Sequence, residues 1–251
     1  MTALEKNGHG RVSGPLLTVL HLVPGIVFAG FFYALSWLLI PRGFTAYLAL
    51  LITIPACLVP VEIGVMFLWS VRYTDTTSLS EAIGYRRKAT AVDYVVLPLF
   101  LFLCCGVASV ALSPITRYVE PLLSAWFPAW ATQEALINGV IGCSPIQRNL
   151  TLLLAVLLSG FVAPVVEELY FRGFLLPKME HWGWAAPIVN SLLFAVYHFH
   201  FPENVVIIFV AFLPIAYVAR IKRNWRIGAV AHSMSNLWGV FTVFAFLPRV
   251  A

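Results

Sequence analysis

Apolar positions in this chain fall in long unbroken runs and not at a helical or strand period. The runs lie at about 17–40, 44–70, 92–113, 149–177, 184–201, 204–220 and 227–247. Each approaches or exceeds the roughly 20 residues with which an α-helix crosses the hydrocarbon of a bilayer. Within lipid a helix satisfies its own backbone polar groups, so each run predicts one transmembrane helix. Two intervals break the pattern. "SLSEAIGYRRK" starts with Ser78 and Glu81 at capping-box spacing and ends in three cations, which predicts a short interfacial helix with its basic end at the headgroups. The other, 114–148, holds Trp126 and Trp130, residues that favour the membrane–water boundary. It is long enough to contain an eighth, re-entrant element. The first 16 residues read as a polar tail. They precede a single helical domain over 17–251 whose first run is too long for a signal-peptide core.

Composition agrees with this pattern. Hydrophobic residues make up 61% of the chain, charged residues 11%, and the mean hydropathy is +0.88, whereas soluble domains carry about 25% charged residues. The expected class is therefore an all-α polytopic membrane bundle of about seven helices, or eight with the re-entrant element. The net charge of +5 bears on topology and gives no reason to expect nucleic acid. Of the 16 Lys and Arg, twelve fall on the amino-terminal side of the seven spans, and Arg42, Arg117, Arg148 and Arg249 fall on the other. Positive charge is retained in the cytoplasm, which places the N-terminus there, in the inner membrane if the cell is bacterial. Cys57, Cys104, Cys105 and Cys143 form no CxxC pair and read as small apolar residues.

Against this apolar background "VVEELYFRGFLL" places Glu167, Glu168 and Arg172 at the end of 17 uncharged residues, Leu150 to Val166. With the helix ending near Pro177, Glu167 lies about 15 Å above the inner end, within the hydrocarbon. His198 rises to a similar height on the next span, and His232 and Asn236 reach the same layer on the last. Glu168 and Arg172 are four apart with the acid first, the favourable order for an ion pair on one face, which leaves the Glu167 carboxylate free. His232 and Asn236 share a face, and Phe194 lies one turn below His198. Pro164 removes a backbone hydrogen bond just before the acids and predicts a kink. Such groups can lock a bundle by pairing with one another, but ionisable side chains at this depth are costly and mark a functional site by default. His9, His21, His181 and His200 read as tail, interface or packing residues.

"EELYFR", "FAVYH" and "HSMSN" fit Glu-Glu-x-x-x-Arg, Phe-x-x-x-His and His-x-x-x-Asn, in that order, on successive spans. Over about 150–240 the chain resembles the CAAX protease and bacteriocin-processing family, the intramembrane glutamic endopeptidases related to the type II CAAX prenyl protease. The resemblance implies that Glu167 and His198 activate a water, that His232 and Asn236 donate to an oxyanion, and that Glu168, Arg172 and Phe194 support the site. It also implies a cavity open to the inner face, no cofactor, and a membrane-associated or lipidated protein as substrate. A His2Glu zinc site from Glu167, His198 and His232 is the alternative chemistry. A non-proteolytic scaffold or immunity protein of the same fold, or a proton-coupled transporter, is the alternative function.

Overall fold

The computed structural model describes residues 12–74, 76–124 and 126–245. Most of the expected tail, 1–16, therefore lies outside the described residues, and helix α1 (Gly14–Leu39) starts with Pro15 in its first turn. That position suits proline, whose missing N–H has no helical partner there in any case. The chain returns through α2 (Ala46–Thr53), capped by the Thr45 hydroxyl, which accepts from Leu48 N at 3.1 Å. A π-helical turn, Ile54–Leu58, leads on into α3 (Val59–Thr74).

Only Leu79–Ala82 of the next segment is helical (α4), and the Ser78 side chain makes no cap bond. This corrects the expected interfacial helix. Gly84 N donates to Gly173 O at 2.9 Å and Arg87 N to Arg223 O at 2.8 Å. The basic stretch is thereby drawn out against neighbouring segments and does not coil on itself. Helix α5 (Asp93–Ser124) runs 11 residues past the expected end at 113. The rest of 114–148 holds a single 3₁₀ turn, Ala129–Ala131, and α6 (Gln133–Ile141). At nine residues α6 is about 14 Å long, too short to cross a bilayer. It packs at the N-terminal end of α2, where Gly139 approaches Thr45, as a short element that does not span.

The acid-bearing rod, Pro145–Lys178, is built from α7 (Pro145–Leu154), a π-helical stretch Ala155–Val162, α8 (Ala163–Glu168), a second π-helical stretch Leu169–Leu175, and α9 (Leu176–Lys178). Pro164 stands at the start of α8, directly after the first π-helical stretch. Such turns occur often at functional sites. Helix α10 (Ala185–Tyr197) has 13 residues, not the 18 of the run 184–201. Helices α11 (Val205–Lys222) and α12 (Arg226–Ala245) complete the chain.

No strand occurs among the described residues, and the fold is an all-α polytopic membrane bundle. Five rods are long and apolar enough to span: 14–42, 46–74, 93–123, 145–178 and 202–222. Helix α10 falls short in length, and α12 carries Arg226, His232 and Asn236.

One end of the bundle is tied by polar contacts. Lys222 pairs with Asp93 at 2.8 Å and Arg220 with Glu180 at 3.4 Å, and the Tyr85 hydroxyl donates to Glu180. Burial pushes the Tyr85 phenol above its ordinary range, and the Glu180 carboxylate adds to the shift, so Tyr85 remains a donor. Between the two ends, Tyr170, Phe171, Phe174, Phe194 and Tyr197 are fully buried around α8 and α10. In lipid such packing stabilises through close contact and not through exclusion of water. Gly25 makes that contact possible, because a Cβ there would lie 2.2 Å from Tyr197 O.

Candidate active site

The three motif segments converge. Helix α8 carries Glu167 and Glu168, the end of α10 carries His198, and α12 carries His232 and Asn236. Glu167, His198, His232 and Asn236 all line one cavity of about 370 Å³. Glu168 and Arg172 are behind it and fully buried, with Arg172 Nη1 3.2 Å from Glu168 Oε1. The Arg172 guanidinium also sits over the Phe194 ring at 4.1 Å and the Phe212 ring at 5.5 Å. Those aromatic faces supply partial negative charge where no water reaches. Phe194 therefore backs the cation, and its edge-on contact at 4.8 Å holds the His198 ring.

His198 is the C-cap of α10 and not an interior helical residue. Its Nδ1 lies 2.8 Å from Phe194 O. A carbonyl partner calls for a proton on Nδ1, which leaves Nε2 as the basic nitrogen. His232 bridges both acids, Nδ1 at 3.4 Å from Glu168 Oε1 and Nε2 at 3.8 Å from Glu167 Oε2. Sequence reasoning paired Glu167 with His198 and did not foresee the approach of His232 to both acids. The Asn236 amide donates one N–H to Ser159 O at 2.9 Å and retains the other. Ser159 belongs to the π-helical stretch before α8, so the widened backbone directly orients Asn236. Among the described residues no three His, Cys, Asp or Glu side chains are grouped as a metal ion would require.

Three residues outside the sequence-derived set also belong to this neighbourhood. Glu62 of α3 is fully buried and accepts from the Tyr197 hydroxyl at 2.9 Å. A lone acid inside the apolar run 44–70 is the same signal that drew attention to Glu167, but Glu62 belongs to no motif. Tyr197, next to His198, carries the link from Glu62 to the cavity wall. His200 lines the cavity too, with its Nδ1 buried and without a hydrogen-bond partner, and not only as a packing residue. His21 is remote, bonded to Leu17 O at 2.7 Å and Asn190 at 3.1 Å. His9 lies outside the described residues.

The cavity extends toward the end of the bundle away from the basic segments, not toward the expected inner face. Its other lining residues include Gln133, Ile137 and Val140 of α6, Asn204 before α11 and Val243 near the end of α12. None comes from 76–92, 179–184 or 220–226, the segments tied together at the basic end.

Residues 149–238 match the family described as type II CAAX prenyl endopeptidase Rce1-like. Among curated proteins, the UPF0177 protein YxdF of Lactococcus lactis subsp. lactis (strain IL1403) is 28% identical over 113 residues, covering 43% of this chain and 63% of that protein. The chain thus matches less than two thirds of this relative's length. No solved structure matches the chain. From 149 to 238 the chain is therefore similar to the Rce1-like type II CAAX prenyl endopeptidases, the relationship that "EELYFR", "FAVYH" and "HSMSN" imply.

Proposed function

We propose that this protein is an intramembrane endopeptidase that hydrolyses a peptide bond of a membrane-associated protein with a water activated by Glu167 and His198. The observation that carries the reading is that Glu167, His198, His232 and Asn236, from three separate segments, line one cavity. Glu167 takes a proton from water as the water oxygen attacks the peptide carbonyl carbon, and His198 Nε2 orients that water. Charge then develops on the carbonyl oxygen. The free Asn236 N–H and the Nε2–H of His232, protonated on both nitrogens between the two acids, stabilise it, and fixed donors in a low-dielectric site act strongly because they need no reorganisation. The proton held on Glu167 passes to the amide nitrogen as the C–N bond breaks, leaving a new carboxylate and a new amine.

Glu168 and Arg172 form the rigid wall behind this set, and no metal ion is needed for the steps. The wall of the cavity is mostly apolar, so the bound stretch is apolar. Comparing the membrane proteins of cells carrying the intact chain with those carrying Glu167→Gln, by mass spectrometry of new C-termini, tests the reading. Termini present only with the intact chain are expected, and identical sets from the two would refute it.

A further inference from the structure

We propose that the cavity takes its substrate from the non-cytoplasmic side of the membrane. The bond cut would then belong to an exported or outward-facing, membrane-anchored segment and not to a cytoplasmic lipidated tail. This rests on the peptidase reading above, and on the structural distinction between the two ends of the bundle. At one end the segments 84–93, 173–180 and 220–226 meet through Arg87 N to Arg223 O at 2.8 Å, Lys222 to Asp93 at 2.8 Å and Arg220 to Glu180 at 3.4 Å. That end is closed over the site by paired charges and backbone bonds, and it contributes nothing to the cavity wall.

At the other end α6 lies across the N-terminal end of α2, and the cavity reaches it past Gln133, Ile137 and Asn204. Asn204 Nδ2 donates to Gln133 Oε1 at 3.4 Å, so these two side chains mark the rim. Charge orients the two ends. With Arg172 and Lys178 both buried, ten Lys and Arg remain on the closed side and four on the open side. Short loops rich in Lys and Arg stay in the cytoplasm, so the open end faces away from it. The mouth also selects by chemistry. The wall contains no Lys or Arg, so an entering anionic side chain would lose its hydration without gaining a counter-charge.

Thiol accessibility in cells expressing the full chain tests the proposal without requiring hydrolysis. A small membrane-impermeant methanethiosulfonate is applied to intact cells and to inside-out vesicles. Gln133→Cys at the rim, Ser235→Cys in the wall and Arg87→Cys at the closed end are compared with the unsubstituted chain, which gives the background of the four natural cysteines. Gln133→Cys and Ser235→Cys are expected to react in intact cells, and Arg87→Cys only in inside-out vesicles. The proposal is overturned if Gln133→Cys reacts only in inside-out vesicles, or if Ser235→Cys, correctly folded, fails to react in intact cells. Gln133 is exposed, so its variant keeps the sidedness test valid even where Ser235→Cys does not fold. Outward labelling combined with no cleavage by the purified chain would refute the peptidase reading while leaving the orientation intact.

Discussion

Replacing Glu168 by alanine removes the counter-ion of a cation that has no route to water. Arg172 is fully buried, its closest carboxylate is Glu168 at 3.2 Å, and none of its nitrogens makes a hydrogen bond to another group. Stranding one member of such a pair costs about 3–5 kcal/mol. The Phe194 and Phe212 rings remain after the substitution, and a desolvated cation–π contact of about 2 kcal/mol keeps the loss toward the lower figure. For a chain of this size each kcal/mol moves the thermal midpoint by about 2–4 °C, so Glu168→Ala should lower it by about 6–12 °C. Arg172→Ala should resemble it, since a carboxylate is then stranded instead. The double variant Glu168→Ala/Arg172→Ala leaves no unpaired charge and should lose less than the two single losses added together. Thermal unfolding in detergent, followed by tryptophan fluorescence for all four proteins, measures this. A midpoint for Glu168→Ala within about 2 °C of the parent would show that the pair is not what holds this wall together.

Glu167→Gln keeps the shape of the side chain and should abolish hydrolysis with an unchanged thermal midpoint; residual turnover near the parental rate would move the base elsewhere. Asn236→Ala should lower kcat about 10²–10³-fold with KM largely kept, and a loss confined to KM would make Asn236 a substrate-holding residue. Gly25→Ala should cost about 1–3 kcal/mol by overpacking, because the new methyl would meet Tyr197 O and its ring. Its turnover should fall as His198 shifts, and a parental midpoint and rate would contradict the close approach. Hydrolysis by the purified protein should persist in strong chelators, whereas loss with rescue by zinc would favour the His2Glu alternative.

The sequence revealed the site wherever charge interrupted an apolar run. Glu167, Glu168 and Arg172 stand out for that reason, and the helix period alone paired Glu168 with Arg172. What it concealed depended on contacts between distant segments. The run 184–201 stays apolar through Phe199 and Phe201, so hydropathy could not register that α10 ends at Tyr197. The local cue was Pro202, which disfavours the helical conformation at Phe201, and Phe201 is found at φ −141° and ψ 66°. The helix expected over "SLSEAIGYRRK" lost to backbone bonds from Gly173 and Arg223, more than 80 residues away in sequence. The contribution of α6 to the cavity wall was hidden for the same reason, since it follows from where α6 packs. The motif analysis passed over Glu62 because it is a single acid with no patterned neighbour.

The π-helical stretch Ala155–Val162 sets a rule for what lengths of chain this rod can tolerate. A π turn holds about one residue more than an α turn, so removing one residue there would let the backbone relax to an ordinary helix. The membrane run would lose only about 1.5 Å in length. The segments on either side would keep nearly the same facing, but Ser159 O, whose π-helical partner would be Pro164 with no N–H to give, would be drawn into an ordinary i→i+4 bond and would no longer be free for the amide of Asn236. Excising Leu157, which is half exposed, should therefore uncouple Asn236 and stop turnover in a protein that still inserts. Leu157→Ala at the same position should be nearly silent, so homologous rods would be expected to vary in composition here far more readily than in residue count.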